Sequence, residues 1–285
     1  MLISSDFHIH SESSYDAALT LDEIAAGAKE AGFSRIGITD HGNYNDPAFL
    51  SDVRRSAASV LAAREKYPFM IPGTELTPIQ KAQFDYIRKN GTREGYRLAP
   101  GADRYGIELA LSKEELAALG IRYAIGAAHW RVDTIGTDEG DGDAQSLMRE
   151  LFRQQMWLAQ DCRVTILGHP WYYNFDKSPW ARDFSIIPRS MHRELIAALK
   201  ENNKCMECNT SMLMRPSEKA AYQYAEFLRE AFESGLRITF GSDSHKVYND
   251  DRKGGLRGDL AIEPYLRAAG FGDGNFYTLQ DSDLW

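Results

Sequence analysis

Short apolar runs of strand character alternate with longer stretches of helical period along most of the chain. The predicted strands cover 3–10, 35–40, 69–76, 123–129, 163–169, 204–210 and 237–242. The predicted helices cover 20–32, 47–66, 112–120, 144–160, 189–202, 218–234 and 258–269. Strands that alternate with helices predict βαβ units and a parallel sheet. Seven such units with polar residues after each strand predict a closed α/β barrel, whose site lies at the C-terminal ends of its strands.

Two helix starts carry a capping box, T-L-D-E at 20–23 and S-K-E-E at 112–115. Between 77 and 111 the chain shows no sustained period, and we interpret this stretch as an irregular insertion with one short strand around 107–111. The sequence has no internal repeat and no low-complexity linker. We therefore predict a single domain over residues 1–285.

The composition is that of an ordinary globular protein, with 43% hydrophobic and 26% charged residues. A formal net charge of −8 argues against a long nucleic-acid surface. No signal segment precedes the first strand, and no apolar run is long enough to span a membrane, so we predict a cytoplasmic protein. The three cysteines argue against a disulfide framework. The C-x-x-C pair at 205–208 falls on a predicted strand, where its thiols face opposite sides and are expected to pack in the core.

The histidines are the clearest sign of chemistry, because six of the seven lie on or directly after a predicted strand. His8 and His10 are two residues apart on the first strand, so their rings face the same side. The other four that follow strands are His41, His129, His169 and His245. His192 lies in a charged helical stretch, S-M-H-R-E, and is predicted to be on the surface.

Three carboxylates are expected at the same end of the barrel, namely Asp16, Glu75 and Asp243. Six imidazoles and three carboxylates are too many ligands for one ion. Clustered carboxylates need nearby cations to stay ionised at low cost. Nitrogen and oxygen donors without thiolate suit zinc, manganese or iron. We therefore predict two or three divalent transition metal ions.

The order and spacing of these residues resemble the PHP (polymerase and histidinol phosphatase) family. The matching motifs are H-I-H at 8–10, T-D-H at 39–41, G-T-E at 73–75, His129, G-H-P at 168–170 and G-S-D-S-H at 241–245. With E-C-N-T-S at 207–211, the chain is most similar to the histidinol-phosphatase branch, although M-L-M-R at 212–215 departs from that branch. The resemblance implies a distorted (β/α)7 TIM-like barrel with a trinuclear metal centre.

The resemblance also implies which residues act. One ion would be held by His8, His10, Glu75 and Asp243, a second by Asp16, His41 and His245, and a third by Glu75, His129 and His169. Catalytic roles would fall to Glu75, Asp243 and His245. The implied activity is that of a metal-dependent phosphoric ester hydrolase acting on a small phosphorylated metabolite. Clustered cations lower the pKa of a shared water, so that hydroxide attacks phosphorus.

Several cationic and polar residues follow the predicted strands and could bind the phosphate or the rest of the substrate by charge-assisted hydrogen bonds. The candidates are Arg131, Lys177, Asn209, Arg215 and Lys246, with Arg215 first among them. An aromatic loop after His169 either lines the substrate pocket or covers the end of the barrel; its rings are Trp171, Tyr172, Tyr173, Phe175 and Trp180.

Three alternatives stay open at this stage. A cyclic phosphodiesterase, or a nucleotide or sugar phosphatase of the same family, would use the same ligands. An amidohydrolase also begins with His-x-His on a barrel strand, but it would require a bridging lysine where this chain has Glu75. A non-catalytic metal-binding PHP module is the alternative from a different functional class.

Overall fold

The computed structural model describes residues 2–43, 47–139, 142–173, 178–214, 216–245 and 258–285. Seven strands form one parallel sheet in the order β1-β2-β3-β6-β7-β8-β9. They are β1 (Ser5–Ile9), β2 (Arg35–Ile38), β3 (Met70–Leu76), β6 (Tyr123–Gly126), β7 (Ile166–Leu167), β8 (Cys205–Asn209) and β9 (Arg237–Gly241). A separate antiparallel pair consists of β4 (Ile79–Gln80) and β5 (Ile107–Glu108).

The sheet curls so that its first and last strands meet at their C-terminal ends. The Asp243 backbone N–H donates to the His8 carbonyl at 2.8 Å, and the His10 N–H donates to the Ser244 carbonyl at 3.0 Å. The seven parallel strands therefore form a nearly closed barrel, which confirms the predicted distorted (β/α)7 fold. All seven strands are shorter than the runs predicted for them.

Helices connect the strands around the outside of the barrel. They are α1 (Leu21–Ala31), α2 (Pro47–Ala63), α3 (Lys81–Asn90), α4 (Lys113–Ala118), α5 (Ala144–Gln160), α6 (Arg189–Glu201), α7 (Thr210–Met214), α8 (Glu218–Glu233) and α9 (Gly258–Ala268). Both predicted capping boxes form, at the starts of α1 and α4. Across the described ranges, no helix has both the length and the apolar character needed to cross a membrane.

The insertion between 77 and 111 is more regular than predicted. It contains the helix α3 and the β4–β5 pair, whereas only one short strand was predicted there. Helix α3 was missed because its first residue follows Gln80, which makes no side-chain cap, and because few of its side chains are buried. Its mostly polar sequence therefore shows little of the apolar stripe that identifies a helix.

The ring of Tyr123 packs inside the barrel. The Tyr123 hydroxyl donates to the Phe7 carbonyl at 2.7 Å, and the ring is fully buried. A Cβ atom on Gly37 would lie 1.7 Å from the Tyr123 hydroxyl oxygen, and one on Gly73 would lie 2.6 Å from the ring. These two glycines therefore provide the space that the ring occupies.

The C-x-x-C pair behaves as predicted. Cys205 packs inside the barrel with residues such as Phe7, while Cys208 belongs to the larger core outside the strands. Both thiols are free and buried. Burial raises the pKa of the Cys205 thiol to about 12, which keeps it protonated. The strand geometry accounts for both positions.

The surface prediction for His192 is wrong. Its ring is buried, with centroids 4.5 Å from that of Phe227, 5.2 Å from Phe184 and 5.7 Å from Trp171. Burial lowers the pKa of His192 to about 4. The charged residues beside it obscured a helical pattern, because His192 lies three and seven positions before the buried residues at 195 and 199, on the inner face of α6.

Candidate metal centre

The first strand brings two imidazoles to one side, as its alternation requires. His8 and His10 are fully buried, and their Nε2 atoms lie 3.1 Å apart. Across the closure of the barrel, Asp243 Oδ1 lies 3.5 Å from His8 Nε2 and 3.3 Å from His10 Nε2. These three residues form one compact group whose ligand atoms lie within 4.8 Å of one another.

Glu75 lies at the centre of the cluster, near the C-terminal end of β3. Its Oε1 atom lies 3.2 Å from His129 Nε2 and 3.0 Å from His169 Nε2, and these residues form a second compact group. Its Oε2 atom lies 2.7 Å from His41 Nδ1 and 3.7 Å from His10 Nε2. A carboxylate with separate imidazoles on each oxygen has the geometry of a bridge.

Electrostatics keep that bridge ionised. Burial alone would raise the pKa of Glu75, but the neighbouring imidazoles, led by His129 and His41, outweigh burial and hold its pKa well below the ordinary value. The pKa of His10 is also held well below its usual range, here by burial together with the nearby rings of His245 and His41. The result is an anionic carboxylate beside a neutral imidazole, the forms that bind metals.

A third group lies on the outer side of the cluster. His41 Nε2 and His245 Nε2 lie 3.4 Å apart, and Asp16 Oδ2 lies 3.4 Å from each. His10 also belongs to the compact group with His41 and His245, so it lies between two groups. Burial would raise the pKa of Asp16, but hydrogen bonds with His245 and His41 outweigh this and lower it.

Two predicted ligands have backbone conformations that side chains rarely adopt. His169 has a φ of 23° and Asp243 a φ of 54°, both in the left-handed region. Such conformations cost on the order of 1–3 kcal/mol each and are concentrated at functional sites. The turns that end β7 and β9 therefore carry strain at positions where the chain directs a carboxylate and an imidazole into the cluster.

The donor set fits divalent metal ions. His8 Nδ1 lies 2.7 Å from Glu207 Oε1, and His245 Nδ1 lies 2.9 Å from the Asp243 carbonyl. Both partners can only accept, so each Nδ1 carries the hydrogen, and in the neutral ring Nε2 presents a lone pair to the cluster. Glu75 Oε2 is buried without a hydrogen bond in the described part of the chain, although the ring nitrogens of His41 and His10 lie 2.7 Å and 3.7 Å from it. Cations would satisfy these converging lone pairs.

Comparison with protein-family models gives one decisive match. The model described as "PHP domain" matches residues 6–211, more than half of the chain. The chain belongs to the PHP domain family. The family and the ligand cluster together make this protein a metal-dependent phosphoesterase.

Solved structures show the same fold. Over 100% of this chain and 99% of its own, the histidinol phosphate phosphatase HISK from Lactococcus lactis subsp. lactis, crystallised with zinc, L-histidinol and phosphate, aligns at 17% identity with a TM-score of 0.62. A candidate histidinol phosphatase, hisK, from Listeria monocytogenes aligns at 14% identity over 89% of this chain and 96% of its own, with a TM-score of 0.59. A comparison with curated protein sequences gave no match.

Of the predicted substrate-binding residues in this PHP domain, two lie within the described part of the chain, Arg131 and Asn209. Arg131 is buried and pairs with Asp133, at 2.9 Å from Nε to Oδ1 and 2.6 Å from Nη2 to Oδ2. Asn209 is buried, and its Nδ2 lies 3.3 Å from both Glu207 Oε2 and Asp243 Oδ2. Direct contact of either residue with a substrate stays a prediction. Three other candidates, Lys177, Arg215 and Lys246, lie outside the described residues.

Some rings of the aromatic loop are buried in the core, and one lies beside the metal-ligand cluster. Trp171 and Trp180 are buried, and the Trp180 indole donates to the Trp171 carbonyl at 2.7 Å. The Tyr172 ring instead lies over the cluster, with centroids 4.8 Å from that of His169 and 5.6 Å from that of His129. Tyr173 is half-buried, and Phe175 lies outside the described residues.

Several side chains that hydrogen-bond to the predicted metal ligands of the PHP domain were not predicted. Thr77 Oγ1 lies 3.0 Å from His129 Nδ1, and Ser14 Oγ accepts from the His41 backbone N–H at 3.1 Å. Glu207 bonds to His8, as described above. Glu207 was visible in the E-C-N-T-S motif, but the motif alone did not indicate its partners, because they lie 199 and 38 positions away along the chain.

Proposed function

We propose that this PHP domain hydrolyses the phosphate monoester of a small metabolite, with histidinol phosphate as the first substrate to test. The observation that carries the proposal is the convergence of six imidazoles and three carboxylates at the C-terminal end of the barrel. The barrel shared with the Lactococcus lactis enzyme, whose crystals hold zinc, L-histidinol and phosphate, supports the choice of substrate.

We assign two or three divalent ions to the cluster, with zinc, manganese and iron as the candidate metals. His8, His10 and Asp243 would hold one ion, and Glu75 would bridge it to an ion on His129 and His169. Asp16, His41 and His245 would hold a further ion, with His10 near enough to share it. When bound, such ions lower the pKa of water and neutralise phosphate oxygens during an in-line displacement.

The chain's own residues have distinct roles in this proposal. The Glu75 side chain is 1% exposed, so it acts from within the cluster by holding the imidazoles in place. The Asp243 and His245 side chains are 18% and 27% exposed, so an incoming ester can reach them. We assign Asp243 the task of holding or transferring a proton at the leaving-group oxygen, and His245 that of orienting the ester, since both of its ring nitrogens are already engaged. Tyr172, beside His129 and His169, excludes water from that side of the site.

A small substrate fits the charge of the protein. With a formal net charge of −8, a long polyanion would meet repulsion away from the cations of the site. Arg215 and Lys246 remain our candidates for binding the phosphate. We also propose that the chain is one domain, and that it works in the cytoplasm, where its three free cysteines would stay reduced.

The test is a phosphate-release assay on the metal-analysed protein. The panel compares kcat/KM for histidinol phosphate, sugar phosphates, mononucleotides, cyclic phosphates and short oligonucleotides. We expect the highest value for a small monoester. Highest turnover on oligonucleotides would contradict the small-metabolite proposal, and no phosphate release from any ester by fully metal-loaded protein would support a non-catalytic module.

A further inference from the structure

The nine predicted metal ligands come from six of the seven barrel strands or from the turns after them, and β8 supplies none. Strand β8 nevertheless directs two polar side chains into the same interior, Glu207 and Asn209, which are 1% and 0% exposed. A buried carboxylate is costly unless its oxygens accept hydrogen bonds. The partners of these two side chains therefore indicate why they are present.

Each Glu207 oxygen accepts from a different part of the cluster. Oε1 lies 2.7 Å from His8 Nδ1, and Oε2 accepts from the His169 backbone N–H at 2.5 Å. Oε2 also lies 3.3 Å from Asn209 Nδ2. Since a carboxylate can only accept, it fixes the His8 tautomer with the hydrogen on Nδ1, so that Nε2 presents its lone pair to the cluster.

Asn209 extends the contact to a third strand. Its Nδ2 lies 3.3 Å from Asp243 Oδ2, while its Oδ1 accepts from the Ser211 backbone N–H at 2.9 Å. The two β8 side chains thus connect to His8 on β1, to the strained turn after β7 and to Asp243 after β9. Glu75 on β3 also contacts ligands from several other strands, but Glu75 is itself a predicted ligand, whereas neither β8 side chain is.

The backbone is shaped around the Glu207 carboxylate. A Cβ atom on Gly241 would lie 1.8 Å from Glu207 Oε1, whereas one on Gly168 would lie 2.5 Å from Ile125 Cγ2 and, at 3.6 Å, only in ordinary contact with Glu207 Oε2. Glycine at the end of β9 therefore leaves the space that the carboxylate needs. The two glycines open the G-H-P and G-S-D-S-H motifs, in which the next residues include predicted ligands.

We propose that Glu207, assisted by Asn209, is the positioning residue of the metal centre. It orients His8 and the His169 turn for metal binding without contacting the ions or the substrate. This inference rests on the metal-dependent function proposed above. This role explains why β8 carries side chains that hydrogen-bond to the metal ligands, although it supplies no metal ligand itself.

Glu207→Gln is the sharpest test, because the shape is kept and one acceptor is lost. Gln offers one oxygen, yet His8 Nδ1–H and His169 N–H approach different atoms of the carboxylate, so one of them must face an amide N–H. We expect zinc affinity, measured by competition with a chromophoric chelator in the absence of substrate, to fall roughly 10- to 100-fold. The visible spectrum of the cobalt-loaded variant should also change, which a general loss of stability would not produce.

Asp161→Asn is the matched control. Asp161 accepts from the Arg163 backbone N–H at 2.8 Å and from its guanidinium, near the opposite end of the barrel. This variant also exchanges a hydrogen-bonded carboxylate for an amide, and its zinc affinity should stay within about 3-fold of the wild type. Asn209→Ala, which removes the link to Asp243, should weaken zinc binding less than Glu207→Gln does.

The inference is overturned if Glu207→Gln binds zinc as tightly as the wild type and gives the same cobalt spectrum. If Glu207→Gln yields no folded protein, Asn209→Ala decides, and unchanged zinc affinity and cobalt spectrum in that variant overturn the inference. Wild-type protein that binds zinc tightly but releases no phosphate contradicts the proposed function alone, because these measurements use no substrate.

Discussion

The histidines at the barrel mouth and the histidine on α6 are all largely removed from water, but their surroundings differ. His8 and His10 face carboxylates and other ring nitrogens at 2.7–3.7 Å. His192 instead faces the rings of Phe184 and Phe227, and its Nε2 atom is buried without a hydrogen bond in the described part of the chain. Burial is shared, whereas the neighbours are not.

This contrast shows which observation identifies a metal site. A buried histidine in an apolar cage is held neutral by the cost of burying charge. A cluster with intervening carboxylates instead favours a cation, because its lone pairs and anions converge. Position after a strand correctly predicted which histidines meet in the cluster, whereas the charged residues around His192 concealed its apolar cage.

The largest loss of activity should come from removing the carboxylate of Glu75, which the histidine cluster contains and the apolar cage of His192 lacks. Glu75→Gln keeps the shape of the side chain but removes the anionic bridge among four imidazoles. We expect kcat/KM for the best substrate to fall at least ~100-fold, with a loss of bound metal. Steady-state kinetics with parallel metal analysis measure both.

Glu150→Gln is the control for that comparison. Glu150 is also buried, but it pairs with Arg153 at 2.7 Å on α5. Its amide variant should keep kcat/KM within about 3-fold of the wild type. Equal and mild effects of the two substitutions would contradict the bridging role of Glu75.

The next effect concerns the number of ions. Protein purified without chelator should carry more than one equivalent of transition metal, because its nine predicted ligands exceed what one ion binds. The double variant His129→Ala/His169→Ala should lose about one equivalent and retain the rest, since the His8–His10–Asp243 group is intact. Elemental analysis tests this, and a wild type with at most one equivalent that the double variant retains rules out the multinuclear assignment.

The smallest effect on activity should come from His192. His192→Leu keeps the apolar packing and removes the unbonded nitrogen, so kcat/KM at pH 7.5 should stay within about 2-fold of the wild type. Stability should respond to acid instead. The folded protein holds the pKa of His192 at about 4, below its ordinary value of 6.5, so His192 contributes stability that is lost as pH falls from 6.5 towards 4.

The leucine variant should escape that loss. Between pH 7.5 and pH 5, we expect its free energy of unfolding to decline by about 2 kcal/mol less than that of the wild type. Urea unfolding of both proteins at the two pH values measures the difference, and the titration of the other buried groups cancels between them. Parallel declines would show that His192 is not held neutral by its aromatic cage.

Local patterns in the sequence predicted the features that depend on neighbouring residues, namely strand positions and helix starts. The apolar runs located all seven barrel strands, and the boxes led by Thr20 and Ser112 located two helix starts. Helix α3 lacks both signals and was missed. Strand β7 is only two residues long, because pairing, which involves other strands, sets its length more strictly than its apolar run.

The candidate site likewise has a part that the sequence predicted and a part that it did not. Positions at strand ends predicted which residues meet at the mouth of the barrel, since a parallel barrel brings all such ends together. The role of Glu207 depends on His8, 199 positions away, and on the space left by Gly241. A single sequence carries no sign of that pairing. The burial of His192 was predictable from its spacing to Leu195, had the charged neighbours been given less weight.

Tyr123 has a consequence for how this barrel can diverge. Its ring occupies the space beside Gly37 and Gly73, so a larger residue at either glycine is excluded as long as the ring is present. Shortening the ring first would leave a void in the interior and remove the hydrogen bond to the Phe7 carbonyl. The residues at positions 37, 73 and 123, widely separated along the chain, therefore constrain one another during evolution. In a lineage of such barrels they should be exchanged together or not at all.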